Sequence, residues 1–517
     1  MSCVGSAGWW RLIGLFVGVI GWGGSILVAQ EGGGETPSLA NRPAATRYFD
    51  DSGAAAALTP PSVTVDALLR RLERTEAQLA QLQASQTAYE QDSRMLASFD
   101  QPGYQVRDPS ITTVDQQTYQ PSREKKEAKK WYDRLSIRGY AQFRINEVLD
   151  EEGAPAQYVG DRSVGANQNF LIRRARVIIS GDVSDHMYVY LQPDFASSVS
   201  GSAVDVNQFC QIRDWYGDLY LDTEKINRIR IGQSKVPYGW ENMQSSSNRI
   251  PLDRDDALNS AVRNERDLGI FYYWTPEYAQ DLFKFVLDEG LKGSGNYGVF
   301  GVGVYNGQGG SFNEQNENLH VVTRLTLPRQ LASGQVFEIG VQAYSGQYAV
   351  LSSVIDPPGA AAPDRPLGTL ERGTREILDE RIAMSFMWYP QPLGFQAEWN
   401  VGRGPGLNDA QTEVVDRPLT GGYAMLHYRW ETPCWGTLFP FIRYQYYKGG
   451  YKAERNAPFS EIEELETGVE WQLNPQMEFT IQHTHTDRTN TVAMPAPELS
   501  YQQFRGDLLR MQFQINY

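Results

Sequence analysis

The chain finishes on a stretch of strict alternation. In Asp507–Tyr517, Leu509, Met511, Phe513, Ile515 and Tyr517 fall on one side of an extended backbone; Arg510, Gln512, Gln514 and Asn516 fall on the other. A side-chain period of two belongs to a strand with one apolar and one polar face. Leu135–Ile145 repeats it, with Ile137, Ala141, Phe143 and Ile145 opposite Arg138, Tyr140, Gln142 and Arg144. Similar runs lie near 170–180, 187–195, 214–222, 226–235, 267–274, 297–305, 318–327, 335–345, 380–389, 393–402, 421–430, 437–447, 463–473 and 476–486. A soluble sandwich turns such apolar faces inward; a membrane barrel turns them outward to lipid.

The connections favour the barrel. Residues 181–186, 222–225, 328–334, 389–392, 431–436 and 474–475 are tight, while 146–169, 196–213, 236–265, 346–379, 403–420 and 487–506 are long. Short turns on one rim and long loops on the other are the pattern of an outer-membrane barrel. Aromatic residues make up 12% of the chain, with 28 Tyr and 12 Trp, as girdles at a membrane interface require. Past residue 30 no stretch approaches the roughly 20 apolar residues of a membrane helix, so a membrane-spanning form must be a closed barrel, which satisfies its own backbone. The expected fold is all-β: a transmembrane antiparallel β-barrel of about 16 strands, with a short coiled-coil helix before it. One segment strains the count. Residues 281–288 read as a seventeenth strand, but the turn parity makes them an extension of a short-side connection or an irregular strand.

Upstream of the barrel (131–517) the chain changes character. Residues 1–29, with Arg11 before an apolar run to Val28, read as a secretory signal peptide. Residues 30–62 are rich in Gly, Ala, Pro and Thr and are expected to be disordered. Over 63–99 the reading is a coiled-coil helix: Val65, Leu68, Leu72, Thr75, Leu79, Leu82, Gln86 and Tyr89 form a heptad seam. A polar linker, 100–130, ends in mixed charge at Arg123–Lys130. Of the three cysteines, Cys3 lies in the signal, and Cys210 and Cys434 fall near opposite rims, which disfavours a bond between them. A net charge of -15 argues against a nucleic-acid partner.

Parity assigns the lumen. If apolar positions face lipid, then Arg138, Arg144, Arg174, Arg176, Arg228, Arg230 and Arg324 point inward, with Arg443 and Arg510, and Lys235 ends a strand. These offer charge and several donors each to an anion. Parity also puts Asp194, Asp218, Asp222, Glu338, Glu398, Glu464, Glu466, Glu470 and Glu478 inside, so the alternative is that the arginines pair with carboxylates and stiffen the wall. Basic positions concentrate before residue 235 and acidic ones after 335, which predicts a field across the pore. The third long loop, 236–265, is the constriction candidate: it and its flank carry Arg249, Arg254, Arg263 and Arg266, interleaved with Asp253, Asp255, Asp256 and Glu265. The bland reading is a solvated rim loop. His483 and His485 share a strand face but have no further ligand nearby, so no metal is expected; nor is any cofactor, and no catalytic motif is present.

Phe170–Gly181 (FLIRRARVIISG), Tyr188–Phe195, Asp214–Leu221, Arg230–Glu241 (RIGQSKVPYGWE), Val304–Gly307 and the aromatic last strand resemble the phosphate-selective porin O/P family. The resemblance covers roughly 131–517 and is best over 131–310. It implies a sixteen-stranded, homotrimeric outer-membrane porin with a basic lumen and an inward-folded third loop. The mixed lumen charge departs from a uniformly basic funnel, so architecture carries over better than selectivity. The expected function is passive diffusion of small hydrophilic solutes, anions such as phosphate favoured, through a barrel embedded in outer-membrane lipid, with the coil in the periplasm. The alternative is a structural barrel that anchors the coil to a periplasmic or cell-wall partner.

Overall fold

The computed structural model describes residues 130–153, 156, 158, 163–164, 170–196, 210–351, 376–409, 413–493 and 499–517, all within one unit, Lys126–Tyr517. The expected signal, disordered segment, heptad helix and all but the end of the linker lie outside the described residues.

After a 3-10 turn at Trp131–Arg134, the chain forms sixteen antiparallel strands. They are β1 Leu135–Gly153, β2 Phe170–Ser184, β3 Met187–Asp194, β4 Gln211–Tyr220, β5 Asn227–Lys235, β6 Arg266–Trp274, β7 Phe300–Tyr305 and β8 His320–Gln330. The second half comprises β9 Val336–Ala349, β10 Glu376–Trp388, β11 Leu393–Leu407, β12 Val414–Tyr428, β13 Gly436–Gly450, β14 Phe459–Asn474, β15 Met477–Ala493 and β16 Leu499–Asn516. A stub at Trp430–Thr432 continues β12 along the same partner, β13. Each strand pairs with its sequence neighbours, and β1 pairs with β16 (Phe143 opposite Phe513, Ile145 opposite Met511), which closes the sheet.

The barrel is inside out relative to a soluble protein. In β13, Arg443 is 0% exposed, while Ile442 and Tyr444 beside it are 46% and 47% exposed. A water-facing surface would invert that preference; a lipid-facing one requires it, since a charge at the bilayer midplane on the outer face costs about 2–4 kcal/mol. Trp274, Tyr428, Trp430, Trp435 and Tyr517 are exposed at the short-turn end, where indole and phenol rings sit at headgroup level. The seam is finished by the last residue: the Tyr517 backbone exchanges hydrogen bonds with Gly139, and its hydroxyl donates to the Arg176 carbonyl at 3.1 Å. A Cβ at Gly139 would lie 2.6 Å from the Tyr517 ring and 2.2 Å from the Arg176 carbonyl, so only glycine admits this closure.

Three features differ from expectation. Residues 281–288 do extend the short-side connection, from β6 to β7, but as part of an amphipathic helix, α3 (Glu277–Asp288, numbered after two short helices described below). Ala279, Phe283 and Val286, spaced four and three apart, are its buried face; Phe283 packs on Val299, and Val286 on Trp240, Met387 and Tyr389. Second, 403–420 and 487–506 are mostly strand: β11–β12 and β15–β16 run on as long hairpins with short tips. Third, Asp222 does not face the lumen but caps the turn before β5, accepting from the Ile226 and Asn227 amides at 2.6 and 2.8 Å. Cys210 is a free, exposed thiol, so the disfavoured bond to Cys434 is not formed.

Candidate channel constriction

The loop 236–265 folds into the barrel. It turns at Gly239, whose φ of 78° suits glycine, into a single helical turn, α1 (Trp240–Met243). Wall charges grip both ends of that turn. The Glu398 carboxylate of β11 accepts from the Trp240 and Glu241 amides at 2.6 and 2.7 Å. The Lys235 ammonium of β5 donates to the Met243 and Gln244 carbonyls at 2.8 and 2.7 Å. A second turn, α2 (Asp256–Asn259), is capped by the Asp255 side chain and held by Arg381 of β10, which donates to the Ala257 carbonyl and Ser260 Oγ.

One side of the loop is apolar. Val236, Tyr238, Ala257, Leu258, Ala261 and Val262 pack against Phe271, Tyr273, Tyr305, Val322, Tyr344, Ala383 and Tyr447 of the wall. Ile250 packs on Tyr423, Met425, Phe439 and Phe441. This side of the lumen is a filled core. A solvated rim loop has no use for so many apolar residues, and that was the available signal that the loop is buried. From the short-turn end, the segment after α3 also enters the barrel: the Lys292 ammonium reaches the Glu470 carboxylate of β14, and its carbonyl accepts from Gln244 at 2.6 Å.

The other side is charged and hollow. A cavity of about 110 Å³ lies between the loop and the wall. Arg173, Arg174, Arg176 and Arg213 line it from β2 and β4; Arg443, Glu464, Glu466, Arg488 and Arg510 line it from β13–β16; the loop supplies Asp253, Arg254, Asp256, Arg263 and Glu265. Two of these arginines owe their place to β-bulges. Gln142 faces Arg174 but Phe143 faces Ile172, which leaves Arg173 as an extra residue. Gln192 faces Asp214 but Pro193 faces Ile212, which leaves Arg213 extra. A bulge re-aims a side chain that strict alternation would send outward.

Three carboxylates on the loop act as hubs. Asp253 holds Arg144 of β1 at 2.6 Å, Arg173 of β2 at 3.5 Å and Arg510 of β16 at 2.5 Å. Glu265 holds Arg254 at 2.8 Å, Arg266 at 2.6 Å and Arg213 at 3.5 Å. Burial disfavours the Glu265 charge, but Arg254, Arg266 and Arg213 outweigh it and hold the carboxyl well below the usual range. Asp256 takes Arg488 of β15 at 2.8 Å and the Tyr451 hydroxyl at 2.5 Å. Burial, reinforced by Glu241, pushes the Asp255 carboxyl well above the usual range and favours its neutral form.

Of the residues expected on the anion path, Arg174 and Arg176 line the cavity, as do Arg254 and Arg263 of the expected constriction loop. Arg144 sits behind Asp253, Arg249 bonds the Pro251 and Leu252 carbonyls, and Arg266 pairs with Asp214 and Glu265. Arg228 and Arg230 share Asp218. Lys235 braces α1, and Arg324 is buried against Glu338. Arg138 is exposed near the short-turn mouth. Sequence parity missed Arg173, Arg213 and Arg488. The expected field between a basic and an acidic wall is largely cancelled at short range. Arg176 pairs with Asp194 at 2.6 Å and Arg230 with Asp218 at 2.7 Å, while Arg443 and Arg488 neutralise Glu466 and Glu464. On the cavity wall Arg174 differs: it donates to Gln142 Oε1 at 2.8 Å and pairs with no carboxylate among the described residues, as is true of Arg138, Arg249 and Lys235 away from the cavity lining. His483 and His485 lie on the outer face, both against Asp507, at 3.3 and 2.9 Å.

The family model for phosphate-selective porin O and P matches residues 155–517. Among solved structures, the outer-membrane channel DcaP of Acinetobacter baumannii is 12% identical, with 74% of this chain and 97% of that chain covered and a TM-score of 0.43. Salmonella typhi OmpF in complex with daunomycin is 11% identical, with the same coverage and TM-score. OmpT of Vibrio cholerae, in a trimer form, is 10% identical over 74% of this chain and 99% of that chain, at a TM-score of 0.40. A search of curated proteins finds no match. The barrel is closed and sixteen-stranded and the family model spans most of the sequence: the chain belongs to the phosphate-selective porin O and P family and is an outer-membrane channel for small solutes.

Proposed function

We propose that the channel conducts passively and favours small anions, phosphate among them, and that their path is the arginine-lined cavity rather than the filled side of the lumen. The observation that carries this is Arg174: a buried guanidinium on the cavity wall, next to Arg173 and Arg176, with no carboxylate partner among the described residues. The paired arginines contribute donors but little net field. An unpaired one leaves a standing positive charge, and its N–H fork replaces part of an anion's hydration as it passes. In the same proposal the barrel assembles as a homotrimer and the segment before residue 130 lies in the periplasm. The rival reading, a barrel that tethers a coiled coil, depends on residues outside those described, whereas the family match begins past them, at residue 155.

Arg174→Gln tests the proposal cleanly, because no acid is orphaned by the change. At an ion passing ~6 Å away in water-like dielectric, one charge is worth about 0.7 kcal/mol. Because the same charge attracts the anion and repels the cation, the anion-to-cation permeability ratio, read from the reversal potential under a KCl gradient, should fall about tenfold. A ratio that does not move would remove Arg174 from the path and the proposal's main support.

A further inference from the structure

Near the short-turn mouth, below the cavity, three side chains from neighbouring strands form a stack, with a fourth at its outer end. Tyr190 of β3 and Tyr216 of β4 lie ring on ring, centroids 5.1 Å apart and planes 11° apart. On the Tyr216 ring sits the Arg230 guanidinium, 3.8 Å from the centroid, and Arg230 is itself clamped by Asp218 through two bonds of 2.7 and 2.9 Å. Beyond the Tyr190 ring lies Arg138, at the outer limit of cation–π range, 6.0 Å from the centroid, and steadied by Ser180 Oγ at 2.8 Å. The buried end of the stack is thus anchored by an ion pair. The other end is different. Arg138 is exposed, lies only three positions from the start of β1, and pairs with no carboxylate among the described residues.

The mixed-charge cavity above can serve any small anion, since a guanidinium offers the same donors to phosphate, chloride or carboxylate. The stack adds a second requirement. Arg138 is a planar cation held by its neighbours at the end of a column of flat groups, and its plane is the natural next surface for a flat, electron-rich ring. Its N–H edge remains available to an acid group on that ring. We infer that the mouth is a binding site for planar aromatic carboxylates, with Arg138 stacking on the ring and donating to the carboxylate, and Tyr190 and Tyr216 fixing its orientation. The inference rests on the proposed anion path, and it adds a preference among anions of equal charge.

The test compares benzoate with cyclohexanecarboxylate, which has the same charge and nearly the same size but no flat ring. Each is added on the short-turn side of single channels in a planar bilayer, and the concentration that halves the chloride current is read. Benzoate should act at about one-tenth the concentration of cyclohexanecarboxylate. In Arg138→Lys, which keeps a charge but loses the plane, the two should converge; in Tyr190→Leu, which removes the supporting ring, the advantage should shrink. Equal potency in the unmodified channel would overturn the aromatic site while leaving the anion path standing. A benzoate advantage that survives Arg138→Lys would overturn the role given to Arg138. Failure of both acids to block a channel that reverses on the cation side would overturn the anion path, and the site with it.

Discussion

Replacing Arg443 with methionine should cost the barrel about 3–5 kcal/mol, the penalty for stranding buried charges. Arg443 is fully buried and joins three parts of the molecule: Glu466 on β14, Glu241 at 2.9 Å on the infolded loop, and the Asp253 carbonyl at 3.0 Å further along that loop. Without it, two carboxylates are left buried at the inner edge of the cavity, with only the Asp255 amide and Gln482 for company. The check is the urea midpoint for unfolding in detergent or lipid, followed by gel mobility of the unheated protein. The triple change Arg443→Met with Glu241→Gln and Glu466→Gln should recover most of the loss, because removing a whole buried ion cluster costs far less than breaking it. A single substitution that shifts stability by under about 1 kcal/mol would mean that cavity water already screens these carboxylates and that the ion cluster does not hold the loop to the wall.

Cutting out the infolded loop should have the largest effect on conduction. With residues 240–262 replaced by a short Gly-Ser link, the apolar plug of Ala257, Leu258, Ala261 and Val262 against the wall is lost together with the Asp253 and Asp256 hubs. Conductance should rise severalfold, since it scales with the open cross-section, while the anion preference should persist, because loss of Asp253 and Asp256 frees Arg144, Arg173, Arg510 and Arg488 even as the wider lumen screens each charge over about 8–10 Å. The barrel itself should still close, because the β1–β16 seam is made without the loop. Conductance equal to that of the unmodified channel would show that the loop does not set the narrowest point. The segment around Lys292, which enters from the opposite mouth, would then be the next place to look.

How far the sequence reaches can be judged residue by residue. Alternation placed Arg174, Arg176, Arg443 and Arg510 inside, and all four line the cavity. It failed at Arg173 and Arg213 because a bulge inserts one residue and breaks the period locally, and nothing in the residue types announces where. It failed at Arg488 because β15 runs on past the lipid zone, where polar residues occupy both faces and the signal fades. Residues 281–288 misled because eight residues with five apolar ones fit either period; α3 resolves only over Glu277–Asp288, where Ala279, Phe283 and Val286 show the helical spacing. The pairing of charges was the hardest part. Asp253 collects Arg144, Arg173 and Arg510, which are far apart in the chain and meet only because the sheet closes and the loop turns inward. The alternative in which arginines pair with carboxylates therefore describes most of the wall, and the unpaired Arg174 stands out only against it.

The most direct measurement is single-channel recording of the purified, folded protein in a planar bilayer under a KCl gradient, with phosphate then titrated in. A reversal potential on the chloride side, and phosphate that interrupts the chloride current, is the result expected from the arginine-lined path. A cation-side potential, or no conductance from demonstrably folded barrels, would contradict it.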